Sequence, residues 1–321
     1  MVTLGIESTA HTFGIAIIDG KEILSNVTDS YTTEEGGMIP VKVALHHEEV
    51  YRKVLDVSLE KAGKTMEDIT LIVYSNAPGL GHALRIGHAA AKSLSMKYDL
   101  PLVGVNHCIA HLEIANLVTD AADPVLLYAS GANTQIIAYD EGKYRVFGET
   151  LDIGIGNFVD TFARNLGLGF PGGPKVEQLA LNGSEFIELP YTVKGMDISF
   201  SGLETHTKRL IPQVQKEDLA FSVQEHVFAM LVEVAERAMA HIGKNELVLG
   251  GGVACNKRLQ EMCKIMCSER NAKFFCPENQ YLVDNAAMIA WTGQLMYEHG
   301  ITREGINPYE RTDEVAVTWR S

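Results

Sequence analysis

Apolar positions fall in short blocks along this chain, and the blocks come in an order that is used twice. The opening VTLGIESTAHTFGIAIIDGKEILSNV predicts a β-meander: strands TLGIES and FGIAIID across the polar turn STAHT, then EILSNV after the turn Asp19–Gly20. A loop, TTEEGGMIPVKV, leads into a helix through ALHHEEVYRKVLDVSLEKAG, where Ala44, Val50, Val54, Leu55 and Leu59 keep an approximate helical period and Gly63 supplies the stop. TLIVYSNA reads as a buried strand, AAAKSLSMKYD as a helix, and the apolar run Leu102, Val103, Val105 as a second buried strand. At DPVLLYASGANTQIIAYDEGKYRVFGET the pattern restarts, with strands LLYAS and TQIIAY about the turn GAN and then YRVFGET. The long helix AFSVQEHVFAMLVEVAERAMAHI, the strand ELVLGGG, the helix NKRLQEMCKIMCSERN, the strand KFFCP and the helix DNAAMIAWTGQLMYEHG follow, before an irregular tail.

Two meanders, each followed by helices alternating with strands, predict an α/β protein of two duplicated ribonuclease-H-like domains. This arrangement resembles the actin, heat-shock-chaperone and sugar-kinase superfamily, in which a nucleotide lies in the cleft between the two domains. With no Pro- or Ser-rich linker, the boundary is placed at the turn TDAADP: a first domain over 1–119, a second over 120–294, and residues 295–321 packing back on the first.

A length of 321 residues and an apolar share of 46% suit two domains with a real core. No apolar run approaches a membrane span, and MVTLGIES starts directly into a strand without the regions of a signal peptide. Five cysteines without a framework spacing fit a reducing cytoplasm. The formal charge of −14 argues against unaided gripping of nucleic acid by a broad basic face. Only short basic spots stand against it: Lys42 with Arg52 and Lys53, Lys208 with Arg209, and Lys257 with Arg258.

The candidate chemistry begins with His107 and His111 in PLVGVNHCIAHLEIANL. Side chains at i and i+4 share one helix face, and two imidazoles so placed can chelate one divalent metal at a strand-to-helix junction. A third ligand is commonly a carboxylate, and Asp284, which also reads as a plain helix N-cap, is the candidate. Glu113 points off the chelating face, and Tyr128 ends a strand where it can approach the same cleft. Three glycine-bearing junctions could receive a phosphate: the turn SGANT at 130–134, the strand–GGG–helix junction that includes Gly251 and Gly252 and opens a helix at Asn256, and PGGPKVEQLA with Gly173 and, one turn on, Glu177. Asp160, after a glycine-rich turn, either binds a ribose or pairs with Arg164 on a helix surface.

Taken together, IPVKVALHH, PGLGHALRIGHAAAKSL, NHCIAHLEIA, LYASGANTQ, GNFVDTFAR, PGGPKVEQLA, KGMDISFSGLET, LGGGVACNKRLQEM and DNAAMIAW resemble the universal tRNA threonylcarbamoyltransferase family, formerly called O-sialoglycoprotein endopeptidases. The tail RTDEVAVTWRS resembles the archaeal and eukaryotic branch, whose members act in the KEOPS complex. The resemblance implies transfer of a threonylcarbamoyl group from threonylcarbamoyl-AMP to N6 of the adenosine 3′ of the anticodon in tRNAs reading codons that begin with A. It implies one divalent transition metal, iron or else zinc, on residues matching His107, His111 and Asp284 with Tyr128 close by. It places the adenylate, or ATP, ADP or AMP, on residues matching Tyr128, Ala129, Ser130, Gly131, Ala132, Asp160, Gly173, Glu177 and Asn256, beside the Gly251–Gly252 junction. The implied partners are tRNA, a small atypical kinase, a dimerising subunit and a regulatory subunit, with no membrane. Two departures stand out: Ala77 where the family has the glycine of T-x-G-P-G, and Ala132 where it has the second glycine of S-G-G-N-T.

Three rival readings differ in what they need. A metallopeptidase of the H-E-x-x-H kind needs a glutamate between its histidines, and here Cys108, Ile109 and Ala110 lie there. A small-molecule kinase of the same fold needs a substrate-side acid or base and no three-ligand metal site. A nucleotide-gated, non-catalytic scaffold has no need of a transition metal at all.

Overall fold

The computed structural model describes residues 1–33 and 38–320. Of the loop expected before the first helix, residues 34–37 lie outside the described residues. In chain order the first half contains β1 (Val2–Glu7), β2 (Thr12–Asp19), β3 (Glu22–Ser30), α1 (Pro40–Ala62), β4 (Leu71–Ala77), α2 (Gly81–Tyr98), β5 (Leu102–Asn106) and α3 (His107–Val118). The second contains β6 (Val125–Ala129), β7 (Thr134–Asp140), β8 (Lys143–Glu149), α4 (Ile155–Asn165), α5 (Gly173–Ala180), the short pair β9 (Val193–Lys194) and β10 (Asp197–Ile198), α6 (Ser201–Leu210), α7 (Lys216–Ile242), β11 (Glu246–Gly250), α8 (Lys257–Glu269) and β12 (Lys273–Phe275). The chain ends with α9 (Asn279–Leu282), α10 (Ala286–Glu298) and an irregular tail. The loop is shorter than expected, because Pro40 sits in the first turn of α1, where its missing N–H is no loss.

The duplication is visible in the sheets. One has the order β3-β2-β1-β4-β5 and the other β8-β7-β6-β11-β12, the same order with corresponding strands. In each, the meander is antiparallel, one later strand (β4 or β11) pairs in parallel with the first strand of the meander, and the last (β5 or β12) pairs in parallel with that one. Parallel neighbours require helical crossovers, which is why each half alternates after its meander.

Helix α3 joins the two halves. Residues His107–Ala115 are all buried. Ala110 and Ile114 pack with the first sheet, and Cys108, Ile109, Leu112 and Ala115 pack with Leu126, Tyr128 and Ile137 of the second. An all-round apolar helix belongs between two layers, and the two histidines take the strip that remains.

The C-terminal part differs from expectation. Residues 286–294 were assigned to the second domain, yet α10 packs on β1, β2, β4, β5 and α3 of the first. Gly5 and Gly293 allow this close approach: a Cβ on Gly5 would lie 2.6 Å from the Ala286 carbonyl oxygen, and one on Gly293 would lie 2.1 Å from Val73. The tail is divided as well. Residues 303–308 bond to the first half through Gly104, Asn76 and Gly79. Val315 and Val317 then pack with Tyr144 of β8. The apolar pattern of 286–296 shows a buried helix, and the contacts show that the first sheet buries it.

Candidate metal centre and adjoining cleft

Strand β5 runs into α3 without a loop. Asn106 is the N-cap, and its Oδ1 accepts from the Cys108 and Ile109 amides. This fixes His107 in the first turn, and His111 follows one turn later with its ring 4.8 Å from that of His107. Asp284 arrives from the junction between α9 and α10, its Oδ1 3.3 Å from His107 Nε2 and 3.6 Å from His111 Nε2. One ligand atom from each of the three residues can be chosen so that all lie within 4.8 Å of one another. The Tyr128 hydroxyl, from the end of β6, is 3.0 Å from His107 Nε2.

The donor set fits a divalent transition metal. Two imidazoles and a carboxylate form a familiar ligand combination for zinc and iron. His111 is the most telling of the three: it is buried, its Nδ1 has no hydrogen-bond partner, and its Nε2 has only the Asp284 carboxylate, at 3.6 Å. A buried imidazole so poorly partnered is costly unless something else uses its lone pair. Burial accordingly lowers the His111 pKa, outweighing the pull of Asp284. Burial also works against charge on His107, but Tyr128, Glu7 and Asp284 outweigh it and hold His107 well above the ordinary histidine value. Burial disfavours the Asp284 carboxylate, but the two histidines hold its pKa well below the usual range.

Two residues at this centre were not anticipated. Glu7, fully buried at the end of β1, places Oε2 2.9 Å from His107 Nδ1. Thr9 donates its amide and its hydroxyl to Glu7 Oε1, at 2.6 and 2.5 Å. A signal was available: a carboxylate closing an otherwise apolar buried strand needs a partner. Glu113 is elsewhere, accepting from Tyr144, Trp319 and Arg320.

The other candidates fall into two groups. Tyr128 and Ala129 end β6, alongside Gly250 and Gly251. Gly251 has φ +90°, and a Cβ there would be 2.3 Å from the Ala129 carbonyl oxygen. Its glycine is therefore required by neighbouring backbone. The turn after β6 is a cap. Ser130 and Gly131 carbonyls accept from the Gly156 and Asn157 amides, and Thr134 Oγ1 accepts from Ile155, so the first amides of α4 are filled. Ala132 lies outside the left-handed region, so a methyl in place of the family's glycine carries no backbone strain.

The second group gathers where α4, α5 and α8 meet. Asp160 Oδ1 accepts from the Gly172 amide at 2.7 Å, whereas Arg164 bonds Thr161. Burial raises the Asp160 pKa, opposed by that amide. Glu177 Oε1 accepts from the Lys257 amide at 2.8 Å, and Asn256 Oδ1 accepts from Arg258 and Leu259. The N-terminus of α8, expected to be open to an anion, is thus satisfied by the chain's own side chains. Space remains at Gly173 and Gly252, where a Cβ would meet nothing within 4 Å. The first-half turn brings His11 against Phe170, ring centroids 5.8 Å apart.

The model of the family described as tRNA N6-adenosine threonylcarbamoyltransferase matches residues 22–291. The chain belongs to this family. A relative named tRNA N6-adenosine threonylcarbamoyltransferase from Thermococcus kodakarensis is 56% identical over 99% of this chain and 100% of its own length. A probable bifunctional tRNA threonylcarbamoyladenosine biosynthesis protein from Methanosarcina acetivorans is 51% identical, and the match spans 98% of this chain but 59% of that protein. Among solved structures, HypF from T. kodakarensis aligns with TM-score 0.67 at 14% identity over 93% of this chain and 48% of that one. The activator of a 2-hydroxyisocaproyl-CoA dehydratase from Clostridium difficile gives 0.57 at 14% identity, over 95% and 100%. Such low identities bear on the fold alone, and they support the actin-like, two-half architecture. Among the described residues no helix is long and apolar enough to cross a membrane.

Proposed function

We propose that this chain transfers the threonylcarbamoyl group of threonylcarbamoyl-AMP to N6 of the adenosine 3′ of the anticodon, in tRNAs reading codons that begin with A. The observation that carries this reading is the convergence of His107, His111 and Asp284, with a poorly partnered buried imidazole among them, in a chain that belongs to the threonylcarbamoyltransferase family. One divalent transition metal, iron or else zinc, would be held by those three residues with Tyr128 beside them, and it would supply Lewis acidity and a template for the carbamoyl group. The adenylate would extend along Tyr128–Ala132 toward Asp160, Gly173, Glu177, Gly252 and Asn256. Support for this placement comes from the open space at Gly173 and Gly252, and from the hydrogen bonds that fix Asp160, Glu177 and Asn256 on the Gly172, Lys257 and Arg258 amides beside it.

In this arrangement the protein does little to activate the nucleophile. The exocyclic amine is weakly nucleophilic because its lone pair is delocalised into the ring. Its rate gain therefore comes from positioning and from stabilising the departing phosphate. The target base has to be presented unstacked. We assign the chain to the cytoplasm, and to tRNA together with a small atypical kinase, a dimerising subunit and a regulatory subunit as partners. The charge of −14 supports a need for partners in holding tRNA.

The test is incubation of the metal-loaded chain and its partner subunits with threonylcarbamoyl-AMP and unmodified tRNA, followed by nucleoside analysis. Threonylcarbamoyladenosine should form, and His111→Ala and Asp284→Ala should lose it together with the bound metal. Product formation by both variants without metal would refute the assignment.

A further inference from the structure

We propose that Glu7 is a positioning residue for the metal centre, fixing the proton of His107 on Nδ1 so that Nε2 is free to bind metal. The inference rests on the metal reading of His107, His111 and Asp284 and adds to it a residue from the opposite end of the chain.

The geometry leaves Glu7 few alternatives. The residue is fully buried, and both of its oxygens are committed. Oε2 faces His107 Nδ1 at 2.9 Å, while Oε1 accepts from the Thr9 amide at 2.6 Å and the Thr9 hydroxyl at 2.5 Å. The Thr9 hydroxyl also lies 3.2 Å from His107 Nδ1. Since that hydroxyl gives its proton to Glu7, it offers His107 only lone pairs. Two acceptors therefore converge on Nδ1, and this nitrogen must carry hydrogen. Nε2, the atom 3.3 Å from Asp284, is left as the ligand. Metal-binding histidines commonly receive such help from an outer carboxylate, which sets the tautomer and raises ligand basicity.

The Thr9 contact makes the proposal sharp. A backbone amide cannot turn away, so position Oε1 must always be an acceptor. If Glu7 becomes Gln, its single carbonyl oxygen is drawn to Thr9 and its NH2 is turned on His107. The ring must then accept at Nδ1, which moves the proton to Nε2, where the metal would bind. Glutamine matches glutamate in size but reverses the tautomer. Aspartate is shorter but keeps two acceptor oxygens. A tautomer-setting role predicts that Glu7→Asp retains more metal affinity than Glu7→Gln. A role in packing alone predicts the opposite order.

The experiment is a Zn2+ titration of the metal-stripped full-length chain against a competing chromogenic chelator, with circular dichroism to establish that each variant is folded. Glu7→Gln should bind Zn2+ about 10- to 100-fold more weakly than the parent, with Glu7→Asp between them. In a His107→Ala background Glu7→Gln should cause no further loss, because the ring it misdirects is gone. Equal affinity of parent and Glu7→Gln, a weaker Glu7→Asp, or an undiminished effect of Glu7→Gln without His107 would each overturn the role of Glu7 and leave the metal site standing. If the parent fails to bind one Zn2+, or if Asp284→Ala binds as tightly as the parent, the metal reading falls and the proposal falls with it.

Discussion

His47 provides a measurable link between pH and the turn that carries Glu7 and Thr9. It lies on α1, buried, with Nε2 3.0 Å from the Ala10 carbonyl oxygen and Nδ1 3.3 Å from His46 Nδ1. Burial, with His46 adding to it, lowers its pKa to about 4, against the opposing influence of the Ala10 carbonyl. The folded value is depressed, so the neutral ring contributes stability that is complete above the unfolded value of about 6.5 and fades as pH falls toward the folded one. At pH 7 both states are nearly neutral. At pH 5 the unfolded ring is almost fully protonated and the folded ring is not. With those two pKa values, the linkage removes about 2 kcal/mol between pH 7 and pH 5. His47→Gln keeps an N–H for Ala10 and cannot titrate. Urea unfolding of parent and variant at pH 7, 6 and 5 reads the contribution of His47 together with its contact to His46, since the carboxylates and the other histidines are common to both. The variant should be the less stable at pH 7, and its deficit should shrink by about 2 kcal/mol on reaching pH 5. Parallel stability profiles over that range would mean that His47 titrates normally and that the reasoning is wrong.

Four further outcomes follow from the site and from the charge of the chain. His111→Leu should abolish metal binding while circular dichroism shows the chain still folded, because an apolar side chain of similar size suits the buried face of α3; a folded variant that still holds metal would refute the assignment. Gly173→Val and Gly252→Val should weaken adenylate binding in calorimetry without loss of fold, because both Cβ positions face open space. Gly251→Val should fail to fold, since φ is +90° and a Cβ meets the Ala129 carbonyl; a folded Gly251→Val would contradict this. In filter binding at several salt concentrations, the isolated chain should hold tRNA weakly, with a logarithmic salt slope of about 3 or less. Several of the basic spots are already paired, Lys53 with Asp29 and Arg258 with Glu225 and Glu261. Tight binding with a steep slope would place unpaired Lys and Arg on one face.

Much of the architecture was legible in the chain. The period-2 and apolar blocks mark both meanders, Gly63 marks the end of α1, and the restart at DPVLLYAS reveals the duplication. Hydrophobic periodicity is local, and it survives into the fold because each block has to bury one face. The i,i+4 histidines were legible for the same reason, since helix geometry alone puts them on one strip. Tertiary structure decided the rest. Glu7 and Asp284 are separated from His107 by 100 and 177 positions, and no local pattern brings them together. The glycine junctions looked alike as sequence, but only contacts distinguish Gly251, pressed on the Ala129 carbonyl, from Gly252, which faces open space. The helix end at Lys257 looked open to an anion until Glu177 and Asn256 were found filling it. Apolar α10 was legible as a buried helix but not as a part of the first half. A sequence specifies that a face must be buried; the path of the chain determines which partner buries it.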